Sequence, residues 1–115
     1  MIKTLTIDGK QVTFKSTGAT PLLYKAQFGT DFLKDILKMM PIAETAGKEQ
    51  LSMEALEMID FNVFSNIVWV LAKTNDRSIP DPINWLDQFE EFPVFDLFEE
   101  VQDMLMQNFK TSQKK

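Results

Sequence analysis

The chain of 115 residues has no cysteine and no histidine. Without cysteine there is no disulfide framework and no thiolate chemistry, a composition that suits the cytosol. Without histidine there is no His–Cys zinc cluster, no Ser-His-Asp triad and no Cys-His pair. Four glycines form no phosphate-cradling loop. No uncharged apolar run reaches the roughly 18 residues of a membrane span. The opening MIKTLTIDGK carries no apolar stretch of the secretory kind. An all-carboxylate site remains possible, but the usual catalytic machinery is missing, so the expectation is a protein that is not an enzyme and needs no cofactor.

Basic charge is also scarce where it would matter for nucleic acid. The net charge is −5. Residues 1–50 hold seven lysines against five acids, residues 51–77 two bases against four acids, and residues 78–115 three lysines against eight acids. No base lies between Arg77 and Lys110. Nucleic-acid binding rests on basic patches that displace counterions, so DNA and RNA are unexpected ligands. The C-terminal half suits a basic protein surface better, although a plain solvated acidic face is the blander reading.

What is present is one domain's worth of chain, with 44% hydrophobic residues to fill one core. Asp8-Gly9 separates two alternating segments, a hairpin signal because both residues tolerate positive φ. A two-residue loop pairs Leu5 with Val12 and Thr4 with Thr13. A four-residue loop pairs Leu5 with Phe14 and Ile7 with Val12. Either register gathers Leu5, Ile7, Val12 and Phe14 on one covered face and mostly threonines on the other. No other segment alternates in this way.

The rest reads as helical. Thr20-Pro21 resembles an N-cap followed by proline at the first helical position, opening a helix over 21–28 that Gly29 stops. A second helix, 31–40, places Phe32, Leu33, Ile36, Leu37 and Met40 on one stripe, with Lys34, Asp35 and Lys38 opposite. Pro41 ends it, and 41–50, with Gly47 as a breaker, reads as a mobile connection. Ser52 caps a long helix over 52–73, with Glu54 and Glu57 suited to its dipole. From Phe61 to Leu71 its apolar positions nearly encircle it, the pattern of a helix buried at the domain centre. Asp81-Pro82 opens a short helix through Phe89, carrying Ile83, Trp85, Leu86 and Phe89. Pro93 restarts the chain into a helix over 94–109. Val94, Leu97, Phe98, Val101, Met104 and Leu105 line one of its faces; Asp96, Glu99, Glu100 and Asp103 lie on the other. Residues 111–115 should fray. The expected fold is α+β and mainly α, a single domain with a hairpin over 2–15 packed on a small bundle of about five helices.

Phe89, Phe92, Phe95 and Phe98 recur every third residue across the Pro93 break. A period of three drifts around a helix of period 3.6, so all four share a core only if the chain bends there. Core packing is the ordinary fate of such rings, and of Trp69 and Trp85. The functional reading leaves Phe92 or Phe95 exposed for a partner helix. Seven methionines include Met106, which falls off the apolar face of the last helix and suits either a core gap or an adaptable binding surface. Phe92, Phe95, Glu99 and Met106 are therefore the candidate partner-binding residues. The carboxylates of this region match no metal-binding loop, and adjacent ones on a helix point apart. No metal ligands are assigned.

Three segments, LTIDGKQVTFK, GATPLLYKAQFG and DFLKDILKM, resemble the start of tail assembly chaperones encoded by siphophages and prophages of Gram-positive bacteria, with a weaker echo in IPDPINWLDQF. The resemblance is one of whole pattern, covers most of the chain and contains no catalytic signature. It implies a non-enzymatic protein of the infected host's cytoplasm, absent from the mature virion. Such proteins hold the tape measure protein and help recruit tail tube (major tail) subunits around it. Coating a long filament calls for many adjacent copies, and the chain's Phe and Met content and complementary charge halves permit head-to-tail contacts, so self-association is expected. The family often also makes a longer product by ribosomal frameshifting. A small regulatory or inhibitory module binding a host protein through the same acidic surface is the alternative.

Overall fold

The computed structural model describes the backbone of residues 2–37 and 61–113 and the side chains of 2–37, 62–93 and 96–105. The expectations for 38–60, including Met40, Gly47 and the Ser52 cap, lie outside these residues. So do the side chains of Phe61, Val94, Phe95 and Met106. Two strands and five helices make up the described chain: β1 (Ile2–Ile7), β2 (Lys10–Lys15), α1 (Thr20–Phe28), α2 (32–37), α3 (Phe61–Asn75), α4 (Pro82–Asp87) and α5 (Val94–Gln113). An N-terminal antiparallel hairpin packs against a mostly helical globule, as the pattern of alternation followed by helical periodicity implies.

The hairpin takes the two-residue register, with Leu5 opposite Val12 and Thr4 opposite Thr13. Asp8 and Gly9 both have positive φ, 52° and 76°, which is the type I′ turn that matches strand twist. Ile7 and Phe14 are fully buried, while Leu5 and Val12 are half-buried against the core. The threonine face is wet, and Thr4 and Thr13 join their hydroxyls across it at 2.9 Å.

α3 is the central element. Six successive residues, Ile67 to Ala72, are buried, so no side of the helix there meets solvent. It packs on β2, α1 and α4. Each such apolar side chain removed from water contributes roughly 1.5–3 kcal/mol, so this stretch anchors the fold. Aromatic contacts tie the other elements to it. Phe28 of α1 meets Trp69 edge-on at 5.6 Å, and Phe64 meets Phe98 of α5 at 5.7 Å.

Helix ends follow local chemistry in most places. Gly29 has φ 75° and donates its N–H to Lys25 O at 2.9 Å, closing α1 as a left-handed cap. Asp81 caps α4, its carboxylate accepting from Asn84 N ahead of Pro82. α4 itself ends at Asp87, short of Phe89, and α5 runs on to Gln113, into the segment expected to fray. Thr20 departs from its expected role. It is the first helical residue rather than the N-cap, and its hydroxyl is fully buried. Thr74 Oγ1 donates its proton to Val70 O at 2.7 Å, so Thr20 Oγ1 is the donor in the 3.0 Å bond between the two hydroxyls. Thr17 supplies the turn instead, accepting from Ala19 N.

The α2 stripe also needs correcting. Phe32 and Ile36 are buried as expected, but Leu33 and Leu37 are about half exposed, and Asp35, placed on the wet face by the pattern, is buried. Its carboxylate is tolerated because Tyr24 Oη donates to it at 2.6 Å and Thr30 Oγ1 at 3.0 Å.

Candidate protein-interaction surface

α5 is amphipathic on every described position. Leu97, Phe98, Val101 and Met104 are buried, and Asp96, Glu99 and Asp103 are exposed on the opposite side. The spacing i, i+3, i+7 sets these three carboxylates in one stripe. Glu100, one turn on from Asp96 on the same side of the helix, pairs with Lys3 of β1. Its Oε2 is shielded from solvent and lacks a well-directed hydrogen bond, so the lysine neutralises it through charge. α5 is thereby clamped to the hairpin while its acidic stripe stays free.

Of the four candidate partner residues, Glu99 stands on this exposed stripe. Phe92 is not on an exposed patch. It is half-buried and rests against Phe89, ring centroids 6.2 Å apart. Phe95 and Met106 lie outside the described side chains. Phe89 and Phe98 are both core, so the bend at Pro93 does turn at least these rings inward. No large apolar side chain is exposed among the described residues of 92–105. The exposed ones are Ile2, Leu22, Leu33, Leu37 and Ile83. Ile83, one of the apolar residues of α4, is about four-fifths exposed, whereas Trp85 is buried.

Sequence reasoning missed a groove of about 470 Å³ between β2 and the 72–89 region. One wall is residues 10–13 of β2, and the other includes Ala72, Ile79, Trp85 and Phe89. Lys10 spans the end of it, donating to Gln88 O at 2.8 Å with its ammonium over the Phe89 ring. Asp8 holds the same loop by accepting from Glu90 N at 3.0 Å. Below, Lys73 grips Arg77 O and Ile79 O, and Trp69 Nε1 donates to Pro80 O at 2.9 Å. The groove walls are thus fixed by side chains reaching backbone carbonyls, partnerships between distant residues that local pattern does not reveal.

The titrating groups here serve structure. Hydrogen bonds from Ser78 hold the Asp76 carboxyl below its ordinary range, and those from Asn84 do the same for Asp81. Burial pushes the Tyr24 phenol well above its usual value, helped by the bond to Asp35 and its charge. No group of three or more acidic side chains converges to hold a metal among the described residues, and no helix there is long and apolar enough to cross a membrane. No protein-family model, curated protein or solved structure matches this chain.

Proposed function

We propose that this chain is a non-enzymatic tail assembly chaperone that holds a tape measure protein and helps recruit tail tube subunits around it in the host cytoplasm. The observation that carries the proposal is the acidic stripe of α5. Asp96, in the first turn, suits the helix dipole, but Glu99 and Asp103 lie one turn apart and repel by a few tenths of a kcal/mol, so these two do nothing for the helix that bears them. Its inner face is locked into the core, which makes the stripe a rigid, linear anionic surface. A long helical partner with Lys or Arg along one flank is its electrostatic complement.

Co-expression with the tape measure protein, followed by affinity capture across a salt series, tests the reading. The doubly reversed variant Glu99→Lys, Asp103→Lys should lose capture at low salt and differ less from the wild type at high salt, because screening removes exposed charge effects. Both positions are exposed, so thermal stability should stay within about 1 kcal/mol. Capture that is absent in the wild type, or unchanged in the variant at low salt, would overturn the proposal.

A further inference from the structure

We propose that the free edge of β2 is a strand-addition site for an extended, cationic segment of a partner protein. The first support is the groove's position. Its β2 wall consists of four consecutive residues, Lys10 to Thr13. Successive side chains of a strand point to opposite faces, so a surface touching all four runs along the strand's edge. β1 contributes nothing to the groove, which places it on the edge away from β1.

The turn then fixes which backbone groups point there. A type I′ loop makes Ile7–Lys10 a hydrogen-bonded pair. Pairs alternate along an antiparallel ladder. Leu5–Val12 is therefore bonded, while Thr6–Gln11 and Thr4–Thr13 are not. The N–H and C=O groups of Gln11 and Thr13 face outward, into the groove, and no backbone partner engages them among the described residues. This is the row of donors and acceptors that an added strand satisfies.

The remaining walls specify the occupant. Ile79, Trp85 and Phe89 offer apolar contact to alternate side chains of an added strand. Residues 76–91 carry five carboxylates against one arginine, and Asp76 lines the groove itself. The two neighbouring lysines, Lys10 and Lys73, already have their ammonium groups on backbone carbonyls. With Lys10, Lys73 and Arg77 counted, five carboxylates stand against three cations, so an incoming strand with Lys or Arg between its apolar residues meets a net negative rim. The site is separate from the α5 stripe and does not depend on the chaperone reading.

The test titrates the full-length, isotope-labelled protein with a capped peptide of alternating Val and Lys, about eight residues long. Saturable binding should shift the Gln11 and Thr13 amides, slow their hydrogen exchange and weaken with salt. Replacing the lysines by glutamates, or N-methylating the peptide nitrogens that face β2, should each cost about tenfold or more in affinity, the scale of one lost backbone hydrogen bond. Thr13→Pro removes an outward N–H without touching the β1 ladder and should do the same. The methylated peptide keeps the test decisive if that variant fails to fold. Equal binding by the methylated peptide, or shifts confined to α5, would overturn the proposal. So would amides of Gln11 and Thr13 already protected in the free protein through pairing with a second copy.

Discussion

Tyr24 is the residue at which α1, α2 and the core are joined. Its ring lies 4.8 Å from Phe28 and 5.1 Å from Phe32, and its hydroxyl is spent on the buried Asp35. Removing the hydroxyl leaves that carboxylate with one donor fewer, so Tyr24→Phe should cost about 1.5–3 kcal/mol near neutral pH, the range for hydrogen bonds to charged groups. The pH dependence has a definite sign. The folded state holds the phenolic proton more tightly than the unfolded chain, whose tyrosine releases it near pH 10. Tyr24's contribution is thus complete below about pH 10 and is lost as the pH climbs above it. Denaturant titrations of wild type and Tyr24→Phe should show the gap between them narrowing above that pH. A gap that widens there would refute the assignment. Asp35 also shows why the sequence misleads at this scale. A carboxylate between Lys34 and Ile36 reads as wet because Tyr24 and Thr30, which donate to it, enter from outside the helix. Thr20 is misread for a related reason: its hydroxyl answers Thr74, 54 residues away, rather than its own helix.

At the scale of elements, local backbone chemistry was legible and orientation less so. Asp8-Gly9, Gly29 and Asp81-Pro82 all act as their residue types demand, because the constraint lies within two or three residues. Leu33, Leu37 and Ile83 satisfy helical periodicity yet stand in solvent, since short helices are rotated by whatever they pack against. The hairpin turn gives a sharp test. A Cβ at Gly9 would meet nothing within 4 Å, so only the backbone opposes substitution. Gly9 sits at φ 76°, and a β-branched residue there should destabilise by about 1–2 kcal/mol. The loss of Gly9→Val in chemical denaturation should come without any change in the α-helical signal of the remaining folded population. A neutral substitution would mean that the chain has slipped to a longer loop, in which Leu5 faces Phe14.

For the whole molecule, the uneven charge has a geometric consequence. Part of it is resolved internally, through Lys3 on Glu100. Of what remains outside, Lys25 and Lys34 are exposed on α1 and α2, with Asp31 beside Lys34, and Asp96, Glu99 and Asp103 are exposed on α5 with no base among the described side chains of that helix. The Lys25 and Lys34 surface of one copy can meet the α5 stripe of the next. Such a contact joins two different surfaces, so it propagates into rings or filaments rather than closing as a two-fold dimer. The chain should therefore self-associate at low salt and dissociate as salt rises, read by sedimentation velocity across concentration. The doubly reversed variant Lys25→Glu, Lys34→Glu should be monomeric, as should Glu99→Lys, Asp103→Lys. Mixing the two should restore association, because the native α5 stripe of the first variant meets the native Lys25 and Lys34 surface of the second, and the two reversed surfaces, acidic on the first and basic on the second, extend these pairs into alternating chains. A wild type that stays monomeric at high concentration and low salt would rule this out. So would association that salt leaves unchanged, which would point instead to apolar contact through Leu22, Leu33 or Leu37.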